Sequence, residues 1–291
     1  MKKTGYVVLV ILLCALFLHC CVHVDKPDNA NNLNQPTQNV EEKFYREYPT
    51  QITVTKNGTD FLESQAPIGK FGGTLVSSTI GEGPKTFNPF NSKDNISSTM
   101  SEIMYDGLLS THPTTGQPVP KLAKDFSIKG NDYIIHLRKG LKWSDGKPIT
   151  ADDVVFTWRD IIFAGMGNTS TRDSVIIDGK LPSVEKIDDY TVKFTTPEPF
   201  APFIRMLSTP IAPKHIFMPA VKKGNEYFET FLSTNTKPEN FVISGAFKLK
   251  EYIPAQRVVY ERNPNYYIIN KEDKKLPYLN RLVYLIVGAL N

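Results

Sequence analysis

Between His136 and Trp158 the chain reads HLRKGLKWSDGKPITADDVVFTW, and no other stretch restricts its folding as tightly. Tyr133, Ile135 and Leu137 lead into it on one side of a period-2 pattern, the signature of a half-buried strand. Gly140 ends that strand, and Ser144-Asp145-Gly146-Lys147 forms a turn in which glycine supplies a positive φ. Pro148 cannot donate a ladder bond and stiffens the approach to a helix. Thr150 is the predicted N-cap, with Asp153 three residues on completing a short capping box. Ile149 and Val154 occupy the hydrophobic-staple positions, while Asp152 and Asp153 face the positive end of the helix dipole. Ala151, Val154, Val155, Trp158 and Ile162 then recur at helical spacing, which makes one helix face core. Strand, turn and capped helix are thus dictated within a few residues of one another. These residues read as scaffold.

Composition excludes several chemistries. The 291 residues are 41% hydrophobic and 22% charged, ordinary for a globular protein of one or two domains. Seventeen Phe and thirteen Tyr imply packed cores rather than disorder. The net charge of +4 includes Lys2 and Lys3 of a leader segment and forms no clustered cationic face, so no nucleic-acid partner is expected. Cys14, Cys20 and Cys21 are the only cysteines, which leaves the rest of the chain without a disulfide, a thiolate metal site or a cysteine nucleophile. The five histidines show no metal-ligand spacing, and His112, His136 and His215 read as strand or surface residues. There is no nucleophile elbow and no phosphate loop. Asp152 and Asp153 cannot act as an acid/base pair, because adjacent helical residues point apart. No enzyme activity, cofactor or metal is expected.

Lys2-Lys3 followed by the apolar run Tyr6 to Leu18 has the form of a secretory signal peptide and is too short for a confident membrane span. Leu18-His19-Cys20-Cys21 resembles a bacterial lipobox. Cys21 fits the lipidated position better, with Leu18 at −3 and Cys20 at −1, and Cys20 is the alternative. Residues 22–68 read as a flexible tether rich in Asn, Gln and Pro, with Phe44 to Val54 more apolar and able to lie along a surface. Asn57-Gly58-Thr59 matches a glycosylation acceptor, a reading that a bacterial lipobox opposes.

The folded body is expected to begin at the strand Gly72-Gly73-Thr74-Leu75-Val76. A loop follows, containing Asn88-Pro89-Phe90-Asn91, and then a helix capped by Ser98 with the stripe Met100, Ile103, Met104 and Leu108. Val184 to Lys186 and Tyr190 to Phe194 form a predicted hairpin; Phe247 and Leu249 with Val258 and Tyr260 form another. The run Leu282 to Val287 is apolar throughout, as in a strand covered on both faces in a parallel sheet.

Several of these segments carry a resemblance. LRKGLKWSDGKPITADDVVFTW, the opening GGTL, the Asn88-Pro89 loop with its Tyr105-Asp106-Gly107-Leu108-Leu109 helix end, and Arg262-Asn263-Pro264-Asn265-Tyr266-Tyr267 are similar to the family 5 extracellular solute-binding proteins. These serve bacterial ABC importers of oligopeptides, dipeptides and nickel. The match runs from about Gly72 to Val287. It implies an α/β fold: a periplasmic-binding-protein-like (class II type) first lobe with an inserted small α+β domain, the second lobe absent from this chain. The corresponding boundaries are 1–21 for the signal peptide with its lipobox, 22–68 for the tether, 69–110 and 190–287 for the discontinuous first-lobe domain, and 111–189 for the inserted domain.

The resemblance also implies a role. The expected protein is a lipid-anchored, monomeric receptor in the periplasm or on the outer face of the cytoplasmic membrane, binding oligopeptide ligands between lobes through main-chain contacts and delivering them to the permease subunits of an ABC importer. Aligned without gaps on Asn88-Pro89, Ser92, Lys93, Asp94 and Asn95 fall where such proteins supply strand-like main-chain contacts. The alternatives are a receptor of the same family for nickel or another small solute, and a truncated surface lipoprotein that no longer transports.

Overall fold

The computed structural model describes residues 51–112 and 115–288. The signal-peptide segment, Cys20 and Cys21, and the tether as far as residue 50 lie outside the described residues.

The first element was not expected. β1 (Gln51–Lys56) and β2 (Thr59–Ser64) form an antiparallel hairpin inside the stretch read as tether. The cause is the Asn57-Gly58 pair: both have positive φ, 49° and 75°, the backbone of a two-residue hairpin turn that matches strand twist. Read as a glycosylation acceptor, the same dipeptide conceals its folding role.

β3 (Thr74–Ile80) follows, then α1 (Asn95–Glu102). β4 (Leu109–Thr111) and β5 (Pro118–Pro120) make a small ribbon that leads to β6 (Ala123–Lys129) and β7 (Asp132–Leu137). On β7, Tyr133, Ile135 and Leu137 are all buried, as the period-2 pattern requires. α2 (Ala151–Val155) begins at the Thr150 cap and continues as a π-helical segment, Phe156–Ile162. The Asp153 carboxylate accepts from the Thr150 N–H at 3.0 Å, completing the predicted reach-back.

A short helix, α3 (Ser170–Ser174), follows Gly165 and Gly167. β8 (Ser183–Asp188), β9 (Thr191–Thr195), α4 (Phe203–Met206), α5 (Lys214–Lys222) and α6 (Asn225–Thr230) come next. β10 (Phe247–Ile253), β11 (Arg257–Arg262), β12 (Ile268–Ile269) and β13 (Arg281–Val287) close the described chain.

Besides the β4–β5 ribbon, three sheets organise the described elements. β6-β7-β9-β8 is antiparallel throughout, so an inserted domain ending at residue 189 would cut the turn between two paired strands. β9 belongs with β7 and β8. The second sheet, β10-β11-β13-β3, is mixed: β13 runs antiparallel to β11 and parallel to β3. The expected parallel partner is therefore present, but the expected cover on both faces is not. Leu282 and Ile286 are buried, whereas Leu285 and Val287 on the opposite face are exposed. The third sheet joins the β1–β2 hairpin to β12.

Two apolar cores fill the body. One packs Trp143, Trp158, Phe194 and Phe203 under the β6–β9 sheet; the other packs Phe87, Phe90, Phe217 and Tyr260 against the β10–β3 sheet. The helix from Ala151 to Ile162 borders both, giving Val154 and Trp158 to the first and Phe156 and Ile161 to the second. An apolar stripe alone would have predicted one buried face. This helix buries two because it separates the cores.

The hairpin is docked by buried polar groups. The Arg138 guanidinium, 2% exposed, donates to the Lys121 carbonyl at 2.7 Å and to Thr53 Oγ1 at 2.8 Å. The Asp60 N–H donates to the Lys139 carbonyl at 2.9 Å, and the Asp60 carboxylate accepts from the Lys139 N–H at 3.2 Å. Gly140 sits beneath the turn, where a Cβ would lie 2.8 Å from the Gly58 carbonyl oxygen; only glycine lets the two backbones approach so closely.

Candidate functional site

The loop between β3 and α1 is built as a rigid ledge. The Asn88 side chain accepts from the Phe90 N–H at 3.0 Å, an Asx turn, and its amide donates to the Phe231 carbonyl at 3.1 Å. Asn91 donates to the Phe228 carbonyl at 2.7 Å, and the Asn168 N–H donates to the Phe90 carbonyl at 2.7 Å. Phe87 and Phe90 are buried below, Phe90 meeting Phe217 edge-on at 5.6 Å between centroids. The loop is therefore fixed from both sides by side chains that lie far away in sequence.

Ser92, Lys93, Asp94 and Asn95 occupy the end of this ledge, and they divide by environment. Ser92 is buried; its hydroxyl lies 2.8 Å from that of Ser98 and donates to the Asp94 carbonyl, while its own carbonyl accepts from the Asn168 amide. Asp94 is the N-cap of α1, accepting from the Ser97 N–H at 2.9 Å and the Ser97 hydroxyl at 2.7 Å. The helix therefore starts earlier than a Ser98 cap would place it, because Asp94 is the better acceptor for its first turn. Lys93 and Asn95 are exposed. Among the described residues, neither the Lys93 backbone nor its side chain makes a hydrogen bond or ion pair. Of the four predicted residues, two hold the ledge in place and Lys93 presents unpaired main chain.

A second concavity of about 640 Å³ lies between the Lys147-Pro148 turn and α5, lined by Asp153, Lys214, His215 and Met218 among others. Burial pushes the Asp153 carboxyl up, against the hydrogen bonds that it accepts from the Thr150 and Lys214 N–H groups and the Trp143 indole. Those bonds occupy its lone pairs. His215 Nε2 lies 2.7 Å from Asp145 Oδ2. Among the described residues, no group of three or more His, Cys, Asp and Glu side chains could hold a metal ion. His136 pairs with Asp125 on the exposed side of β7, and His112 Nδ1 accepts from the Thr115 N–H. His112, His136 and His215 thus lie apart from one another.

Sequence reasoning missed the residues that position the ledge: Asn88, Asn91 and Asn168. Asn88-Pro89 is legible as a turn, but the partners of these amides lie up to 143 residues away.

Comparison with known proteins gives the same architecture. Residues 117–290 match the bacterial extracellular solute-binding proteins, family 5, middle region. A probable ABC transporter-binding protein of Deinococcus radiodurans is 34% identical over 228 residues, covering 76% of this chain and 38% of that protein. The periplasmic oligopeptide-binding protein OppA of Salmonella typhimurium is 30% identical over 234 residues, covering 74% and 40% respectively. The solved oligopeptide-binding protein AppA of Bacillus subtilis, in complex with a nonapeptide, superposes with a TM-score of 0.60 at 31% identity, covering 75% of this chain and 40% of that one. The chain spans about two-fifths of the length of the relatives it matches.

Proposed function

The chain belongs to the bacterial extracellular solute-binding proteins of family 5, and from that premise we propose that it contributes to oligopeptide capture for an ABC importer. The Ser92–Asn95 ledge supplies main-chain contacts to one side of an extended peptide. The observation that carries this reading is the unpaired backbone of Lys93, held between Ser92 and Asp94, whose side chains and carbonyls are occupied. A peptide strand recognises such a ledge through N–H and C=O groups common to all sequences, so selectivity is broad and no bond is made or broken. The ABC transporter-binding and oligopeptide-binding relatives support the role. The chain is exported and held at the membrane by a lipid on Cys21, with Cys20 the alternative; each buried methylene of that lipid adds about 0.8 kcal/mol. The permease subunits of the importer are the partners, and the inserted domain comprises β6 to β9 with the helix that follows Thr150.

Hydrogen exchange of the purified chain with mixed tri- to pentapeptides tests the binding role. We expect exchange at Lys93 and Asn95 to slow as peptide is raised to millimolar levels, because one side of a two-sided site binds weakly. At ten times the dissociation constant, bound peptide adds about 1.4 kcal/mol of stability. Unchanged exchange with every peptide, combined with a thermal shift on adding Ni²⁺ or an oligosaccharide, would sink the peptide assignment. Palmitate labelling that survives Cys21→Ser but not Cys20→Ser would reassign the anchor.

A further inference from the structure

Asn57 is the only asparagine of the chain that is followed by glycine. The pair makes the turn between β1 and β2, where Lys56 and Thr59 face each other and close the hairpin. Asn57 and Gly58 are exposed, and a Cβ added at Gly58 would meet nothing within 4 Å. Among the described residues, neither the Gly58 N–H nor the Asn57 side-chain amide makes a hydrogen bond. A main-chain nitrogen and the side-chain carbon with which it can close a five-membered ring are thus both unengaged and open to solvent. Asn91 also precedes a small residue, Ser92, but its amide donates to the Phe228 carbonyl at 2.7 Å and its Oδ1 is buried, so it is held in place.

We propose that Asn57 is a site of spontaneous deamidation, and that the isoaspartate formed there undocks the β1–β2 hairpin. The Gly58 nitrogen gives its proton to hydroxide and attacks Asn57 Cγ. The bond from Cγ to the side-chain nitrogen breaks, and ammonia leaves with a proton taken from water, which regenerates the hydroxide. A cyclic imide then joins Asn57 to Gly58. Water opens it at either carbonyl. Cleavage at Cγ leaves aspartate with the main chain unchanged; cleavage at the main-chain carbonyl leaves isoaspartate, with the main chain running through the side chain. In sum one water is consumed and one ammonia released, and nothing is oxidised or reduced.

The two products act differently on the fold. Aspartate keeps the turn, because Asp-Gly adopts the same two-residue geometry as Asn-Gly. Isoaspartate adds a methylene to the main chain inside a turn that fixes the register from Lys56↔Thr59 to Gln51↔Ser64. The same turn seats the hairpin. The Gly58 carbonyl oxygen lies where a Cβ on Gly140 would be 2.8 Å away, and the Asp60 N–H donates to the Lys139 carbonyl at 2.9 Å. A longer turn does not fit over Gly140; it lifts off and takes Asp60 from Lys139 and Thr53 from Arg138. This holds whether or not the ledge binds peptide.

Ageing the full chain in mild detergent and mildly alkaline buffer tests the proposal. Peptide mapping by mass spectrometry should find the amide-to-acid mass gain at position 57 before any other asparagine, with isoaspartate the larger product and the rate rising in proportion to hydroxide. Ion exchange separates the products, which gain a negative charge. In the isoaspartate fraction, amide protection from Thr53 to Leu62 should fall at least about tenfold relative to β7 and β11, while Asn57→Asp should keep the protection of the unaged chain. An isoaspartate methyltransferase with S-adenosylmethionine should restore it, a recovery that general damage does not show. Asn57 staying intact in the folded chain while it converts in urea would overturn the proposal, since the turn would then shield it. So would isoaspartate at position 57 with unchanged hairpin protection, or faster conversion at Asn91.

Discussion

Replacing Arg138 by Met should release the β1–β2 hairpin before it unfolds the rest of the body. Arg138 is the largest buried cation of the fold, and its guanidinium makes two well-formed bonds: 2.7 Å to the Lys121 carbonyl and 2.8 Å to Thr53 Oγ1. A third contact, to the Phe61 carbonyl at 3.4 Å, is too long to count for much. Hydrogen bonds from a charged donor contribute about 1.5–3 kcal/mol each, so the two good ones sum to about 3–6 kcal/mol. Removing a buried charge returns part of that, since burial itself pulls the Arg138 pKa down. Met fills the volume and relieves the desolvation, which leaves a net loss of about 3 kcal/mol at the hairpin seam. At 1.4 kcal/mol per decade this is about a hundredfold increase in local opening. The readout is amide exchange across Thr53 to Leu62, compared with β7 and β11 in the same sample. Protection should fall about a hundredfold in β1 and β2 and by under tenfold in β11. Equal loss in all strands, or unchanged protection in the hairpin, would refute the idea that Arg138 is what ties it down. Thr53→Ala, which removes one acceptor and leaves the cation, should cost about 1 kcal/mol at the same place.

Four further outcomes are expected. The Asp60 carboxyl sits low: burial raises it, but the Thr55 hydroxyl, the Lys139 N–H and the Lys124 ammonium together outweigh that. Because its folded pKa lies below the unfolded value of 3.8, its stabilising contribution is complete above that value and is lost as pH falls through the folded one, so hairpin exchange should accelerate on acidification in wild type and not in Asp60→Asn. Asp94→Ala should cost about 1 kcal/mol by calorimetry through the lost cap and loosen the ledge, whereas Asp94→Asn should retain most of the stability. Trp158→Ala empties the space where its ring meets Phe194 at 5.3 Å and Phe203 at 5.8 Å, and should cost about 3–5 kcal/mol in denaturant unfolding. Gly140→Ala should undock the hairpin as Arg138→Met does, since its Cβ would meet the Gly58 carbonyl oxygen at 2.8 Å.

Much of the body is legible in local sequence because its causes are local. The Thr150 cap, the alternation on β7, and the β8–β9 and β10–β11 hairpins all follow from residues within a few positions of one another. The helix before Asp106 was legible too, but its start was not. Ser98 and Asp94 both precede apolar periodicity, and only the backbone places Asp94 where it accepts from Ser97. The hairpin at Asn57-Gly58 carries a strong local signal that was outweighed by the polar stretch before it. Val287 illustrates a different limit. An apolar run states that burial is favourable but not on which face cover exists.

The candidate site was legible only as a position. Nothing in Ser92-Lys93-Asp94-Asn95 distinguishes a binding ledge from an exposed loop, because main-chain recognition leaves no side-chain signature. Its rigidity comes from Asn88, Asn91 and Asn168 reaching carbonyls that fold next to them.

By itself, then, the sequence determined the elements whose energies are set over one turn or one strand: caps, turns, periodic faces, and the long HLRKGLKWSDGKPITADDVVFTW run that marks the family. Tertiary structure decided what those elements meet. It placed the helix after Thr150 between two cores, docked a hairpin onto Arg138 and Gly140, and assigned Ser92 and Asp94 to holding Lys93. The physical reason is range. Steric and capping preferences act between residues adjacent in the chain, whereas the contacts that dock the hairpin and fix the Asn88 loop join positions from about eighty to more than a hundred and forty residues apart, and their geometry exists only once the chain has closed around them.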